Sequence, residues 1–231
     1  MGSIVDRTRN DVGTSMKLIV TGATGMVGEG ALLAALEDAE VEKVVSISRK
    51  SCGITHPKLT ELLVPDFRDL SSIEDQLTGF DGCLYCAGIS SAGMSEADYT
   101  VITYDTPMAF AKTLQRLNPN MVFAHISGAA TDGTEKGRVM WARVKGKAEN
   151  GLGTLGFKAV YNFRPGLMKP TPGQKHVKTL YRVLLVLYPV MSLFFQGIPV
   201  RDLGRAMIRS VKSGAPKTVL EVPDIKALAH G

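Results

Sequence analysis

Cysteine is scarce. Three residues in a chain of 231 cannot make a disulfide framework, so a reducing, cytoplasmic setting is the expectation. Tryptophan occurs once and aromatics make up 6% of the chain. No basic run is interleaved with aromatic residues, which excludes nucleic acid as the expected partner. Charge of one sign is not in large excess either: 27 Lys and Arg against 22 Asp and Glu leave a net +5 and a pI near 9.1. That balance suits a phosphate-bearing ligand or an anionic surface. No His, Asp and Glu cluster has metal-ligand spacing, so no metal is expected. Residues 1–15 lack the apolar stretch of a signal peptide and read as a flexible tail ahead of a domain spanning 16–231. Internal repeats and low-complexity segments are absent as well.

What is present is an alternation. Apolar, β-branched runs at 17–21, 43–48, 59–64, 82–87, 120–127 and 157–163 predict six strands. Between them lie helical patterns, including a short one at 70–77, a long one opened by Ser95 and Asp98 in capping-box register, and another at 137–152. Strands separated by helices, with no hairpin signal, predict an α/β fold: a Rossmann-type, doubly wound parallel sheet in a single domain. The last third breaks this rhythm. Residues 183–200 carry no charge between Arg182 and Arg201, and Pro189 and Pro199 interrupt them. They read as the main part of an apolar, substrate-covering segment over about 176–200. A spanning helix is not expected, and peripheral contact with a membrane stays open.

The strongest motif follows the first strand: Thr21-Gly22-Ala23-Thr24-Gly25-Met26-Val27-Gly28. Glycines at this spacing allow a tight turn, close approach to a pyrophosphate, and packing of the next helix on the sheet. The helix N-terminus then presents N–H groups to phosphates. The second strand ends in Ser48-Arg49-Lys50. A chain built for NAD would carry an acid there for the ribose 2′-OH. Arg and Lys suit a 2′-phosphate, so NADP(H) is favoured over NAD(H).

In order along the chain come the glycine turn, Arg49, Asp66-Phe67, Ala87-Gly88, Ser127 and Arg164-Pro165-Gly166. In this the sequence resembles the atypical, single-domain short-chain dehydrogenase/reductases, the NAD(P)-binding group known as sugar-epimerase-like or NmrA-like. The resemblance covers essentially the whole folded chain. It implies that Asp66 and Phe67 lie by the adenine, that Ala87 and Gly88 pass along the ribose, and that Pro165 and Gly166 border the nicotinamide. It also implies that Ser127 faces the substrate oxygen. The group's catalytic pair is Tyr-x-x-x-Lys on the helix after the serine strand, with lysine on the ribose and tyrosine passing the proton. Here the stretch reads Trp141-Ala142-Arg143-Val144-Lys145, and no lysine in the chain has a tyrosine four residues before it. An indole N–H donates a hydrogen bond but does not exchange its proton at neutral pH, so Trp141 is expected as a pocket wall. Tyr99, Tyr104, Tyr161 and His125 remain as other candidates for the proton, with His125 read first as a core residue.

Three functions compete. The leading expectation is an NADP(H)-dependent oxidoreductase acting on a small, fairly apolar carbonyl or activated alkene, with Ser127, Lys145 and Trp141 around the reacting atoms. The alternatives are an isomerase, lyase or cyclase without net redox change, and a non-catalytic protein that senses NADP(H). The partner expected is a small-molecule substrate, and the chain a monomer or homodimer. Cys83 and Cys86 have CxxC spacing but fall in a strand, where residues three apart face opposite sides.

Overall fold

Residues 15–177 and 197–231 are described by the computed structural model of the chain. The tail and most of the uncharged run at 183–200 lie outside the described residues. The chain folds as read, into a seven-stranded, wholly parallel sheet with helices on both faces.

The first strand, β1 (Met16–Thr21), has apolar residues on both sides and takes an interior place in the sheet, third from one edge. Beside it run β2 (Val41–Ser48) and then β3 (Leu59–Leu63). On its other side come β4 (Gly82–Tyr85), β5 (Val122–Ile126) and β6 (Ala159–Arg164). The order therefore reverses between β1 and β4. In such sheets the crevice beyond the carboxyl ends of those two strands is where ligands bind.

Each face of the sheet carries its own apolar cluster. One packs α1 (Met26–Glu37) and the amphipathic α5 (Val200–Ser213) against Leu18, Val20 and Leu84. The other packs α3 (Thr106–Leu117) and α4 (Met140–Gly153) against Ile19, Cys83 and Phe123. Gly204 lets α5 lie close on α1: a Cβ there would sit 2.9 Å from that of Ala34 and 3.0 Å from the Ala31 Cα.

Several details differ from the sequence reading. A seventh strand, β9 (Val219–Glu221), extends the edge beside β6 and leads into α6 (Val222–His230). A separate parallel pair joins β7 (Leu167–Lys169) to β8 (Gly197–Pro199). The predicted long helix does open at Ser95, whose hydroxyl accepts from the Asp98 N–H as α2 (Glu96–Thr100) begins. It then passes through a π-helical turn, Val101–Asp105, before α3. Pro107 has no N–H to donate back into that turn. The Val101 carbonyl accepts both the Thr106 N–H and, at 2.8 Å, the Thr106 hydroxyl.

Candidate functional site

The glycine loop is shaped by contacts that leave no space for side chains. Gly22 stands at φ +74°, and a Cβ there would lie 2.7 Å from the Cys86 carbonyl oxygen. A Cβ on Gly28 would meet the Gly22 carbonyl oxygen at 2.1 Å, so α1 can seat on the loop only through glycine. Gly25 is the N-cap and no side chain caps the helix, so its positive end remains available to an anion. Thr21, fully buried, accepts from the N–H groups of Cys86 at 3.0 Å and Ala87 at 3.1 Å. That hydroxyl fixes the exit of β4 against the loop, which brings two strand ends into one wall.

Two adjoining cavities open over this wall. The first, about 370 Å³, is bounded by Gly22, Thr24, Gly25, Ser48, Arg49, Asp66 and Phe67. The second, about 360 Å³, is bounded by the first turn of α1, His125, Ile126, Lys145 and Met168. Gly25, Ala87 and Gly88 border both. Both volumes are of the size that holds small ligands. The expected adenosine-side residues thus come together, apart from Lys50, which does not line either cavity. The Lys50 carbonyl accepts the Ser48 hydroxyl at 2.6 Å, a bond that turns the chain out of β2. Arg68 grips Asp66 through Nε and Nη2, at 3.0 and 2.7 Å, and holds that carboxylate below its usual pKa.

At the other end the residues sit around the start of α4. Lys145 is half-buried, lines the second cavity, and donates to the Ser127 carbonyl at 3.3 Å. Burial pulls its pKa down to about 8, and Glu149 one turn on pushes it back up. Glu149 is itself buried and held by Arg164 through two bonds of 2.9 and 2.5 Å. The Arg164 guanidinium is in turn 3.2 Å from Glu221. Ser127 is buried, and its hydroxyl lies 3.1 Å from that of Thr131. The Thr131 hydroxyl donates to the Gly128 carbonyl at 2.7 Å, so the proton between Ser127 and Thr131 comes from Ser127. Ala130, at φ 62°, turns the chain so that Thr131 can return to Ser127. Pro165 is buried, and its carbonyl accepts from the Ala129 N–H at 3.3 Å. Ser127, Trp141, Pro165 and Gly166 do not line either of these cavities. Trp141 is half-buried one turn before Lys145.

Tyr85, Ile89 and Ile102, which the sequence reading missed, complete the walls, together with His125, which it read first as a core residue. Tyr85 borders both cavities, and burial raises its phenol above the usual value. His125 pairs through Nδ1 with Asn162 Oδ1 at 2.9 Å. Burial, then the Lys145 charge, pull its pKa to about 4. Ile89 and Ile102, on the loop and turn beyond β4, are 42% and 37% exposed and line both cavities. Their alternation along strands gives no sign of this, because they approach only once the fold is made. Cys83 and Cys86 are free thiols, both raised in pKa by burial.

A doubly wound sheet with a glycine turn at its first strand and a cavity over the strand ends defines a Rossmann-type nucleotide-binding protein. The chain belongs to the NAD dependent epimerase/dehydratase family, which it matches over residues 18–139. Among curated proteins it is 32% identical, over 59% of its length and 51% of the relative's, to leucinostatins biosynthesis cluster protein T of Purpureocillium lilacinum. It is 28% identical, over 64% of each chain, to protein fmp52, mitochondrial, of Emericella nidulans. The chain thus spans between half and two thirds of the length of these relatives. Among solved structures it is similar in fold to a short chain dehydrogenase from Burkholderia cenocepacia in complex with NADP. That likeness has a TM-score of 0.64 and 14% identity, and covers 90% of this chain and 88% of that one.

Proposed function

We propose that the protein is an NADP(H)-dependent oxidoreductase of the short-chain dehydrogenase/reductase type, acting on a small, fairly apolar carbonyl or activated alkene. The observation that carries the cofactor reading is Arg49 at the carboxyl end of β2, lining the first cavity with no acid beside it on that strand end. Asp66, the one carboxylate lining the same cavity, is neutralised by Arg68, which leaves Arg49 free for a 2′-phosphate. The glycine cradle fits a pyrophosphate: Gly25 caps α1 without a side chain, and Gly88 opens to the cavity with nothing within 4 Å of a Cβ placed on it.

When bound, the dinucleotide supplies or accepts a hydride at its nicotinamide. The chain's own residues do the rest. Thr24, Met26 and Val27 in the glycine turn border the phosphates, and Phe67 packs by the adenine. Lys145 reaches the ribose and the reacting oxygen, and Ser127 orients the substrate. Pro165 and Gly166 would border the nicotinamide, and Trp141 the substrate, from outside the two cavities described. Ile89, Ile102 and Met168 keep the second cavity apolar, which favours an apolar substrate and excludes water from the hydride path. Free thiols at Cys52, Cys83 and Cys86 suit a reducing compartment, the cytoplasm first.

The test is transfer of deuterium from NADPH labelled at nicotinamide C4 to a panel of aromatic and aliphatic aldehydes, ketones and enones. Deuterium in the product alcohol or saturated ketone is the expected result. Turnover of a substrate with the label retained on the cofactor would favour isomerase or lyase chemistry instead.

A further inference from the structure

The replacement of tyrosine by Trp141 leaves the oxidoreductase reading without its usual proton source among the groups in or beside the second cavity. His125 is neutral at physiological pH. Its Nδ1 faces the Asn162 side-chain amide oxygen, Oδ1, so Nδ1 carries the hydrogen and Nε2 presents only a lone pair. Tyr85 is packed among Phe110 and Phe123, and its raised phenol is a poorer acid than a free tyrosine. Ser127 already spends its proton on Thr131. Lys145 differs. Among the described residues its ammonium makes one bond, to the Ser127 carbonyl, and has two further N–H groups to offer a ligand. Its nearest carboxylate, Glu149 on the same helix, is occupied by the Arg164 fork.

We propose that Lys145 is the general acid of this site, taking over the proton transfer as well as the ribose contact. The proposal rests on the oxidoreductase reading. As the carbonyl carbon of the substrate receives a hydride from a reduced nicotinamide dinucleotide, the C=O π pair becomes an O–H bond with a proton from Nζ of Lys145. The lysine is left as a neutral amine and regains its proton from water. Arg164 has a part in this geometry: it binds both Glu149 oxygens, and among the described residues Lys145 forms no salt bridge, so Glu149 offsets the effect of burial on the ammonium only in part. A lysine that titrates close to neutrality is charged often enough to give a proton and weak enough as a base to release it. The charged and titratable groups facing it are Glu149 from α4, His125 from β5 and Tyr85 from β4.

The test has one arm without turnover and one with it. In the full chain, trace labelling of amines by acetic anhydride across pH 6–11, read at the Lys145 peptide by mass spectrometry, gives the titration of Lys145 directly. A midpoint near 8 is expected, and a midpoint at the ordinary lysine value overturns the proposal. The second arm follows deuterium transfer from labelled NADPH to 4-nitrobenzaldehyde in single turnovers. Lys145→Arg keeps the charge but cannot release a proton. With NADPH saturating, so that any weakening of the ribose contact does not enter the rate, it is expected to transfer deuterium at least about a hundredfold more slowly. The wild-type rate should also fall above pH 8, as the ammonium is lost. Deuterium transfer that is unchanged in Lys145→Arg overturns the acid role alone, while absence of transfer in the wild type overturns the redox reading on which it rests.

Discussion

At the scale of single residues, Trp141 and His125 carry separable expectations. If Trp141 is a wall, Trp141→Phe keeps most of the apolar surface and loses only one donor. The expected cost is at most about tenfold in kcat/KM, near 1.4 kcal/mol, read by steady-state kinetics on a substrate found in the carbonyl panel. A hundredfold loss with cofactor binding intact would give the indole a chemical role. His125 bears on stability. Its pKa of about 4 in the fold lies below the 6.5 of a free histidine, so the unfolded chain binds a proton over that window while the native one does not. The stabilisation is therefore complete above pH 6.5 and drains away as pH falls towards 4, by up to about 3 kcal/mol. Denaturant titrations of the wild type and His125→Gln across that window should show the gap between them shrinking with acid. Parallel curves would contradict the burial of a neutral imidazole.

At the scale of elements, the junction of β1, its glycine loop and α1 is where sequence dictates most. The Cβ of Gly28→Ala would stand 2.1 Å from the Gly22 carbonyl oxygen, and backbone cannot yield as a side chain tip can. Loss of dinucleotide binding and a lowered melting temperature are expected together. Binding that survives at wild-type strength would show that α1 can be re-seated. The join of α4 to the sheet edge depends on the buried Arg164–Glu149 pair, so Arg164→Met strands a carboxylate and should cost about 3–5 kcal/mol in chemical denaturation.

These elements also show what was legible beforehand. Six strands could be read because runs such as β1 and β5 are long and apolar enough to announce themselves. The seventh, β9, is three residues between Thr218 and Val222, too short for any period to register. Gly22, Gly25, Gly28 and Arg49 were legible because their spacing follows from the backbone geometry of a strand, a turn, a helix and the next strand end, while Lys145 was legible only through the resemblance to the short-chain dehydrogenase/reductases. Tyr85, Ile89 and Ile102 were not, because they meet the cavity only through the packing of β4 and the π-helical turn. The Arg164 to Glu149 and Glu221 network joins a helix and two strands across gaps in sequence that no local pattern encodes.

At the scale of the whole molecule, the uncharged run at 183–200 raises the question of a membrane. Among the described residues no helix is long and apolar enough to cross one, and residues 178–196 lie outside that description. Taken as a substrate cover, the run predicts that the full chain does not float with liposomes in high salt, where charge attraction is screened and only apolar burial persists. Stable flotation there would favour insertion. We propose that Arg49, at the carboxyl end of β2, selects the phosphorylated dinucleotide. Calorimetric titration of NADPH and NADH into the wild type and Arg49→Ala tests it most directly. The account predicts NADPH binding tighter by roughly tenfold to hundredfold, about 1.5–3 kcal/mol for a charge-assisted contact, with that advantage lost in Arg49→Ala. Equal affinities in the wild type, or an advantage untouched by the substitution, would contradict it.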